Sequence, residues 1–194
     1  MTKENGTIFT IGHSTRPIGA LIALLEAEGI ARLVDIRTIP RSRYNPQFNG
    51  DALAESLQAA GLGYAHRKSL GGLRRPLKDS PNGGWRNDGF RGYADYMQTP
   101  EFAAALVALI DEARAVPLAV MCAEAVPWRC HRSLVADALS VRGVPVVHIM
   151  GAGKTQPHKL TSFARVEEGR LTYPPAQGSL DGLGGGGSRG RRTD

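Results

Sequence analysis

Residues 122–132 hold the side chains best suited to chemistry in this chain. Cys122, Glu124, Arg129, Cys130, His131 and Arg132 fall within eleven residues, and they include both cysteines of the protein. The surrounding sequence over 117–142 is PLAVMCAEAVPWRCHRSLVADALSVR. An apolar run ends at Cys122, a Pro-containing loop follows, and Cys130, His131 and Arg132 open an amphipathic helix. A strand-to-helix junction at the carboxyl edge of an open α/β sheet is where ligands bind. The helix start adds unpaired N–H groups and the positive end of the dipole, which favour anions and thiolates.

Four chemistries fit these residue types. A phosphatase-like thiolate cradle needs Cys, five residues and Arg; here six residues separate Cys122 from Arg129, and one is a proline without an N–H. A Zn²⁺ site can draw on Cys122, Glu124, Cys130 and His131, but the cysteines form no CxxC knuckle. A redox-active cysteine pair is possible if the loop brings the sulfurs together, again without a CxxC. An anion site, with Arg132 and the helix start holding a phosphate or carboxylate and Cys122 and Glu124 lining the pocket, uses the most of what is present. The cysteines also fit as small buried hydrophobes.

The elements that must position this segment follow from periodicity. Strands are expected over 7–11, 32–36, 62–66, 118–122 and 144–150. Helices are expected over 18–28, ending at Gly29, and over 51–60, followed by Gly61. Two more are expected, over 102–114 with Pro100-Glu101 at its start, and over 130–141. This alternation predicts a single three-layer α/β domain, 1–176, with a mostly parallel, Rossmann-like sheet. Residues 67–92 read as a long polar loop after the third strand, of the kind that is usually functional or mobile. From 177 to 194 the composition is Gly/Arg-rich and predicts a disordered tail.

A parallel sheet gathers whatever follows its strands on one edge. After the first strand come His13, Ser14 and Arg16. After the second come Asp35, Arg37, Arg41, Arg43 and Tyr44. His66 and Gly71-Gly72 follow the third strand, Cys122 and Glu124 the fourth, and His148 lies in the fifth. Guanidinium forks match phosphate oxygens, so Arg37, Arg41 and Arg43 suit phosphate binding. Tyr44 and Trp128 suit stacking on a base. Asp35 suits either catalysis or pairing with Arg37, and His148 reads as a packed residue.

Net charge is +6 and the pI about 9.7, which favours anionic partners such as nucleotides or nucleic acid. Arg189, Arg191 and Arg192 place part of that charge in the tail. Two cysteines make no disulfide framework and favour a reducing compartment. No h-region opens the chain, and no apolar stretch approaches the ~18 residues of a membrane span. A soluble cytoplasmic protein without membrane contact is expected. No GxGxxG follows a strand, and 151–155 (GAGKT) lacks P-loop spacing, so no nucleotide cofactor is indicated. That stretch reads as a loop after the last strand, where Lys154 can add to an anion site.

These residues resemble DUF488, an uncharacterised bacterial and archaeal family. The resemblance is carried by Ile11-Gly12-His13-Ser14, Val34-Asp35-Ile36-Arg37 with Pro40-Arg41-Ser42-Arg43, and Asn45-Pro46-Gln47-Phe48. It continues through Tyr64 with His66, Leu70-Gly71-Gly72, Phe90 with Tyr93, Tyr96 and Met97, and Cys122-Ala123-Glu124 followed by Cys130-His131-Arg132. It implies a compact α/β domain whose motif positions are the polar strand-end residues. It implies no reaction.

The reading that results is an enzyme acting on a phosphate-bearing substrate, a nucleotide or nucleic acid. Arg37, Arg41, Arg43 and Arg132 would hold the anionic groups, with Ser14 and Tyr44 in the binding set. Asp35 or Glu124 would act as acid/base or orient an arginine, and His13 or His131 would move a proton. Cys122 would be the nucleophile of a covalent mechanism. The alternatives are a nucleic-acid-binding module without chemistry, and a metal-binding or thiol redox protein.

Overall fold

The computed structural model describes residues 6–176; the tail expected over 177–194 lies outside the described residues. Five parallel strands form the body of the sheet: β1 (Ile8–Gly12), β2 (Arg32–Asp35), β3 (Gly63–His66), β4 (Leu118–Cys122) and β5 (Val146–Gly151). A short β6 (Lys154–Pro157) returns antiparallel beside β5, giving the order β3-β2-β4-β1-β5-β6. Five helices cover the faces: α1 (Ile18–Ala27), α2 (Gly50–Ala59), α3 (Asp88–Tyr96), α4 (Pro100–Ala115) and α5 (Arg132–Val141). The expected three-layer, mostly parallel α/β architecture is the one observed.

Strand periodicity sorts side chains between two cores. On β1 and β4, Ile8, Leu118, Val120 and Cys122 join the core under α3, α4 and α5, whereas Phe9, Ile11, Ala119 and Met121 join the core under α1 and α2. Both faces are apolar because both are covered, which is why the strands read as continuous apolar runs.

The strand order opens a crevice at a defined place. After β2 the chain turns outward through α2 to β3; after β4 it turns the other way through α5 to β5. The neighbours β2 and β4 thus send their connections in opposite directions, and at such a switch point the carboxyl ends leave room for a ligand. The loops that border this crevice carry Arg37 to Arg41 and Cys122 to Arg132.

The long polar segment after β3 is a loop through its middle, and only the ends of the expected 67–92 span are revised. A 3-10 turn at Lys68–Leu70 starts it, and α3 begins inside it at Asp88. The buried Asp95 carboxylate pins its middle, accepting from Leu77 N (2.8 Å), Ser80 Oγ (2.6 Å) and Asn82 Nδ2 (2.8 Å). The sequence of α3, DGFRGYADY, has weak helical propensity and two glycines, so periodicity misses it. Tertiary contact selects the helix: a Cβ at Gly92 would sit 2.5 Å from Arg74 O, so the loop backbone crosses the helix where there is no side chain.

The stretch expected as a loop at 151–155 is instead the turn and first residues of the β5–β6 hairpin, with Gly153 at φ +62°. Lys154 is exposed there and stands outside the crevice. A further hairpin, β7 (Arg165–Glu167) and β8 (Arg170–Thr172), turns through Glu168 (φ 49°) and Gly169 (φ 78°), the left-handed pair of a two-residue type I′ turn.

A buried polar chain ties α5 to the sheet and to the segment after β6. Thr10 Oγ1 lies 2.6 Å from His148 Nδ1, and His148 Nε2 lies 3.0 Å from His158 Nδ1. His158 Nε2 donates to Asp137 Oδ1 at 2.8 Å, and Asp137 also accepts from the Thr161 and Tyr173 hydroxyls at 2.7 and 2.8 Å. One tautomer per ring satisfies the whole chain, with each donor facing an acceptor. Removing its only carboxylate leaves several buried donors unpaired. Asp137→Ala is therefore expected to cost roughly 3 kcal/mol, read as a lowered urea midpoint with unchanged slope.

Candidate active site

Gly12 ends β1 opposite Cys122, and the loops beyond are laced together by backbone bonds. His13 N donates to Cys122 O (3.0 Å), Ser14 N to Ala123 O (2.9 Å) and Ile36 N to Met121 O (3.0 Å). A Cβ at Gly12 would fall 1.8 Å from the Glu124 carbonyl oxygen and 2.9 Å from Arg132 Nη1. Only glycine admits both groups at this point. Ser14 adopts φ 49° as the chain leaves the strand.

The cavity in the crevice has a volume of about 360 Å³, within the range of small-molecule sites. Cys122, Cys130 and His131 border it from the β4–α5 side, and Arg37, Thr38, Ile39 and Arg41 from the loop after β2. Gly72 and Leu73, with Asn87 and Phe90 at the start of α3, complete it. Glu124 and Arg129 lie exposed at its mouth.

The expected site residues divide into those that face this cavity and those that support them. Arg37, Arg41, Cys122, Glu124 and His131 line it. Asp35 is fully buried and orients Arg37: Arg37 Nε donates to Asp35 Oδ1 at 2.9 Å and Nη2 to Oδ2 at 2.5 Å. Arg37 Nη2 also donates to Phe48 O (2.8 Å), and Nη1 meets His13 Nε2 at 3.3 Å. The Arg37 fork is thus spent on the protein, and it offers the cavity one N–H on Nη1 and a charge that Asp35 neutralises. Tyr64 donates to Asp35 Oδ2 at 3.0 Å, and burial together with the Asp35 charge pushes its hydroxyl pKa up.

His13 is buried away from the cavity, stacked on Phe48 at 4.2 Å between ring centroids, with Nδ1 donating to Ser14 O at 2.8 Å. Burial holds its pKa below the ordinary value, so it is a neutral acceptor for Arg37. Ser14, Arg43 and Tyr44 do not border the cavity, and Arg43 and Tyr44 project into solvent. Trp128 is exposed on the 3-10 turn Pro127–Arg129 and faces a different surface hollow, with His158 and Lys159.

Arg132, expected to meet the ligand, is instead buried beneath the cavity floor at 1% exposure. Its Nη2 donates to Glu124 O and Ala125 O, both at 3.3 Å, while Nε and Nη1 have no hydrogen-bond partner. No carboxylate among the described residues forms an ion pair with it. The groups beside it that can carry negative charge are the two cysteines: its charge favours ionisation of each, and its own backbone N–H points at Cys130 Sγ at 3.5 Å. Burial opposes ionisation of the Cys122 thiol, but hydrogen bonding from Cys130 and the Arg132 charge outweigh it and hold the thiol below its ordinary value. Cys130 answers in the opposite sense: its hydrogen bond to Cys122 and its burial keep it a thiol. The two sulfurs are 2.7 Å apart, and the pair shares one ionisation.

His131 donates from Nε2 to Ile36 O at 3.1 Å and leaves Nδ1 facing Cys130 Sγ at 3.5 Å. A Cβ at Gly72 would collide with this ring at 2.4 Å, so the glycine lets the 67–87 segment press on the imidazole. Among the described residues no three His, Cys, Asp or Glu side chains are arranged to hold a metal ion.

The family model described as a domain of unknown function, DUF488, matches residues 17–139. The chain belongs to the DUF488 family. Its matched span contains the loop after β2 and the whole Cys122–Arg132 segment, while the Gly12-His13 block lies just outside it. No curated protein and no solved structure matches the chain significantly. Among the described residues no helix is long and apolar enough to cross a membrane.

Several site residues escape sequence reading. Thr38 and Asn87 border the cavity, yet their spacing in the chain carries no pattern, and Phe90 stands out only through the family resemblance. Gly12 and Gly72 matter for what they lack, which one sequence cannot reveal. Gly12→Ala is expected to displace the Glu124 carbonyl and cost roughly 2–4 kcal/mol, measured as a lowered urea midpoint.

Burial lowers the pKa of His131 from 6.5 to about 4 and that of His148 from 6.5 to about 3. Between these values and 6.5 the unfolded chain binds protons that the folded chain excludes, so stability is full above pH 6.5 and is lost as pH falls toward 4. Each imidazole contributes up to about 1.4 kcal/mol per pH unit in that window. Urea midpoints from pH 8 to 4.5 are expected to fall with this curvature, and His148→Gln to flatten it.

Proposed function

We propose that this DUF488 protein is a thiol-dependent enzyme acting on a phosphate-bearing substrate, a nucleotide or nucleic acid, with Cys122 as the nucleophile. The observation that carries the reading is Cys122 itself, bordering the cavity beside the buried Arg132, which pairs with no carboxylate among the described residues. A thiol whose ionisation is favoured in this way needs less help from a base to act as a nucleophile. Arg41 and Arg129 at the mouth supply exposed guanidinium forks for phosphate oxygens. Ile39, Leu73 and Phe90 supply apolar walls of the kind that accept a flat ring. Glu124, exposed at the mouth, is the group able to exchange protons with solvent during leaving-group departure. Asp35 and His13 are positioning residues that act through Arg37.

Tyr44, 86% exposed beside Arg43, favours a second reading in which the same edge binds a nucleic-acid strand by stacking and phosphate contacts without chemistry. One set of variants separates the two. Binding of nucleoside monophosphates, labelled single-stranded and duplex DNA, and RNA is measured at two salt concentrations. Arg41→Ala/Arg129→Ala is expected to weaken binding roughly tenfold and reduce the salt dependence. Cys122→Ser is expected to bind normally and to lose substrate conversion and any covalent adduct seen by intact mass. Conversion that survives Cys122→Ser removes the covalent mechanism. Binding untouched by the double variant removes the phosphate site.

A further inference from the structure

Cys130 makes and breaks no bond in the chemistry proposed above, yet its sulfur is 2.7 Å from that of Cys122. That is inside the contact distance of two unbonded sulfurs and roughly 0.7 Å beyond a disulfide bond. Both residues are free thiols, and both border the cavity. We infer that Cys122 and Cys130 close a reversible intramolecular disulfide when a hydroperoxide enters the cavity, with Cys122 attacking and Cys130 resolving. The inference rests on the reading of Cys122 as the nucleophilic thiol.

The backbone on both sides of the pair is held by the fold while the sulfurs lie in contact. Cys122 is fixed by its register opposite Gly12 in the sheet. Cys130 is fixed by its N–H, which donates to Pro127 O at 3.0 Å, and by its carbonyl, which accepts from Ser133 N and Ser133 Oγ, both at 3.0 Å. These bonds use main-chain atoms and the Ser133 hydroxyl, so joining the sulfurs consumes none of them. The order of events follows from charge. The Arg132 charge and the contact with Cys130 favour ionisation at Cys122, whereas burial and the neighbouring Cys122 oppose it at Cys130.

The chemistry balances with the hydroperoxide as the only oxidant. The Cys122 thiolate attacks the terminal peroxide oxygen, the O–O bond breaks, and the leaving alkoxide takes a proton to become the alcohol. Cys122 is then a sulfenic acid. The Cys130 sulfur attacks the Cys122 sulfur, the S–O bond breaks, and the departing hydroxide takes the Cys130 proton as water. Two thiols lose two electrons, and one peroxide becomes one alcohol and one water. The disulfide silences the nucleophile and protects it from further oxidation until a reducing thiol reopens it.

The test reads mass alone and so is independent of any substrate. The full-length protein is treated with hydrogen peroxide, denatured, alkylated with N-ethylmaleimide and weighed intact. The expected product is a monomer lighter by two hydrogens that takes up no label, and dithiothreitol restores two labels. Cys130→Ser, or Cys130→Ala if the serine variant does not fold, is expected instead to accumulate a dimedone-reactive sulfenic acid at Cys122 and then a sulfinic acid. Wild-type protein that keeps both thiols, or that gains oxygen at Cys122 without forming the disulfide, overturns the inference. Failure of phosphate binding in the assays above leaves this mass readout unaffected, so the two readings fail separately.

Discussion

A buried positive charge that pairs with no carboxylate among the described residues governs the arrangement of this site. Taking a guanidinium out of water is costly unless oxygen or negative charge replaces the lost hydration. Arg132 meets that demand with two loop carbonyls, Glu124 O and Ala125 O, and with the adjacent Cys122 sulfur. The carbonyls reach it because Gly12 has no side chain. The shape of the Cys122–Cys130 loop, the lowered pKa of the Cys122 thiol and the absence of a Cβ at the end of β1 all answer to one electrostatic requirement.

The rest of the molecule keeps that charge in place. α5 carries Arg132 at its first turn, and Asp137 one turn later fastens the helix to β5 and the segment after β6 through His158 and His148. The opposite wall is fixed by a second, self-neutralised pair, Asp35 and Arg37, which is braced by His13, Tyr64 and the Phe48 carbonyl. Asp95 holds the 67–87 segment over the opening, and Arg74 lies 3.5 Å from the centre of the Tyr96 ring at its edge. Three buried carboxylates, Asp35, Asp95 and Asp137, thus organise the three sides of the cavity, and none of them faces it. Polar networks of this kind stabilise only when every member is satisfied, so each acts as a rigid bracket.

Much of the scaffold was legible in the chain. Apolar runs at β1, β2 and β4, each followed by an amphipathic period and a glycine stop, identify those strands together with α1, α2 and α5. They do so because both faces of the sheet are covered and burial writes itself into composition. The elements that escaped are those selected by contact. The helix α3, with two glycines and little propensity, exists because Tyr93 and Tyr96 pack inward and donate to Leu70 O and Ser69 O. The strand β6 consists of exposed residues and has no apolar signal to read.

The sequence by itself determined that Asp35, Arg37, Cys122, Glu124, His131 and Arg132 share one edge, because parallel strands must end together. It could not determine which of them look outward. A side chain at a strand end points to the cavity or to the core according to strand order, loop path and the space a neighbouring glycine leaves. Those are properties of pairings between residues more than eighty positions apart, such as Asp35 with Met121 and Gly12 with Cys122. Only the folded chain decided that Arg37 spends its fork on Asp35, that Arg132 lies under the floor, and that the two cysteine sulfurs touch.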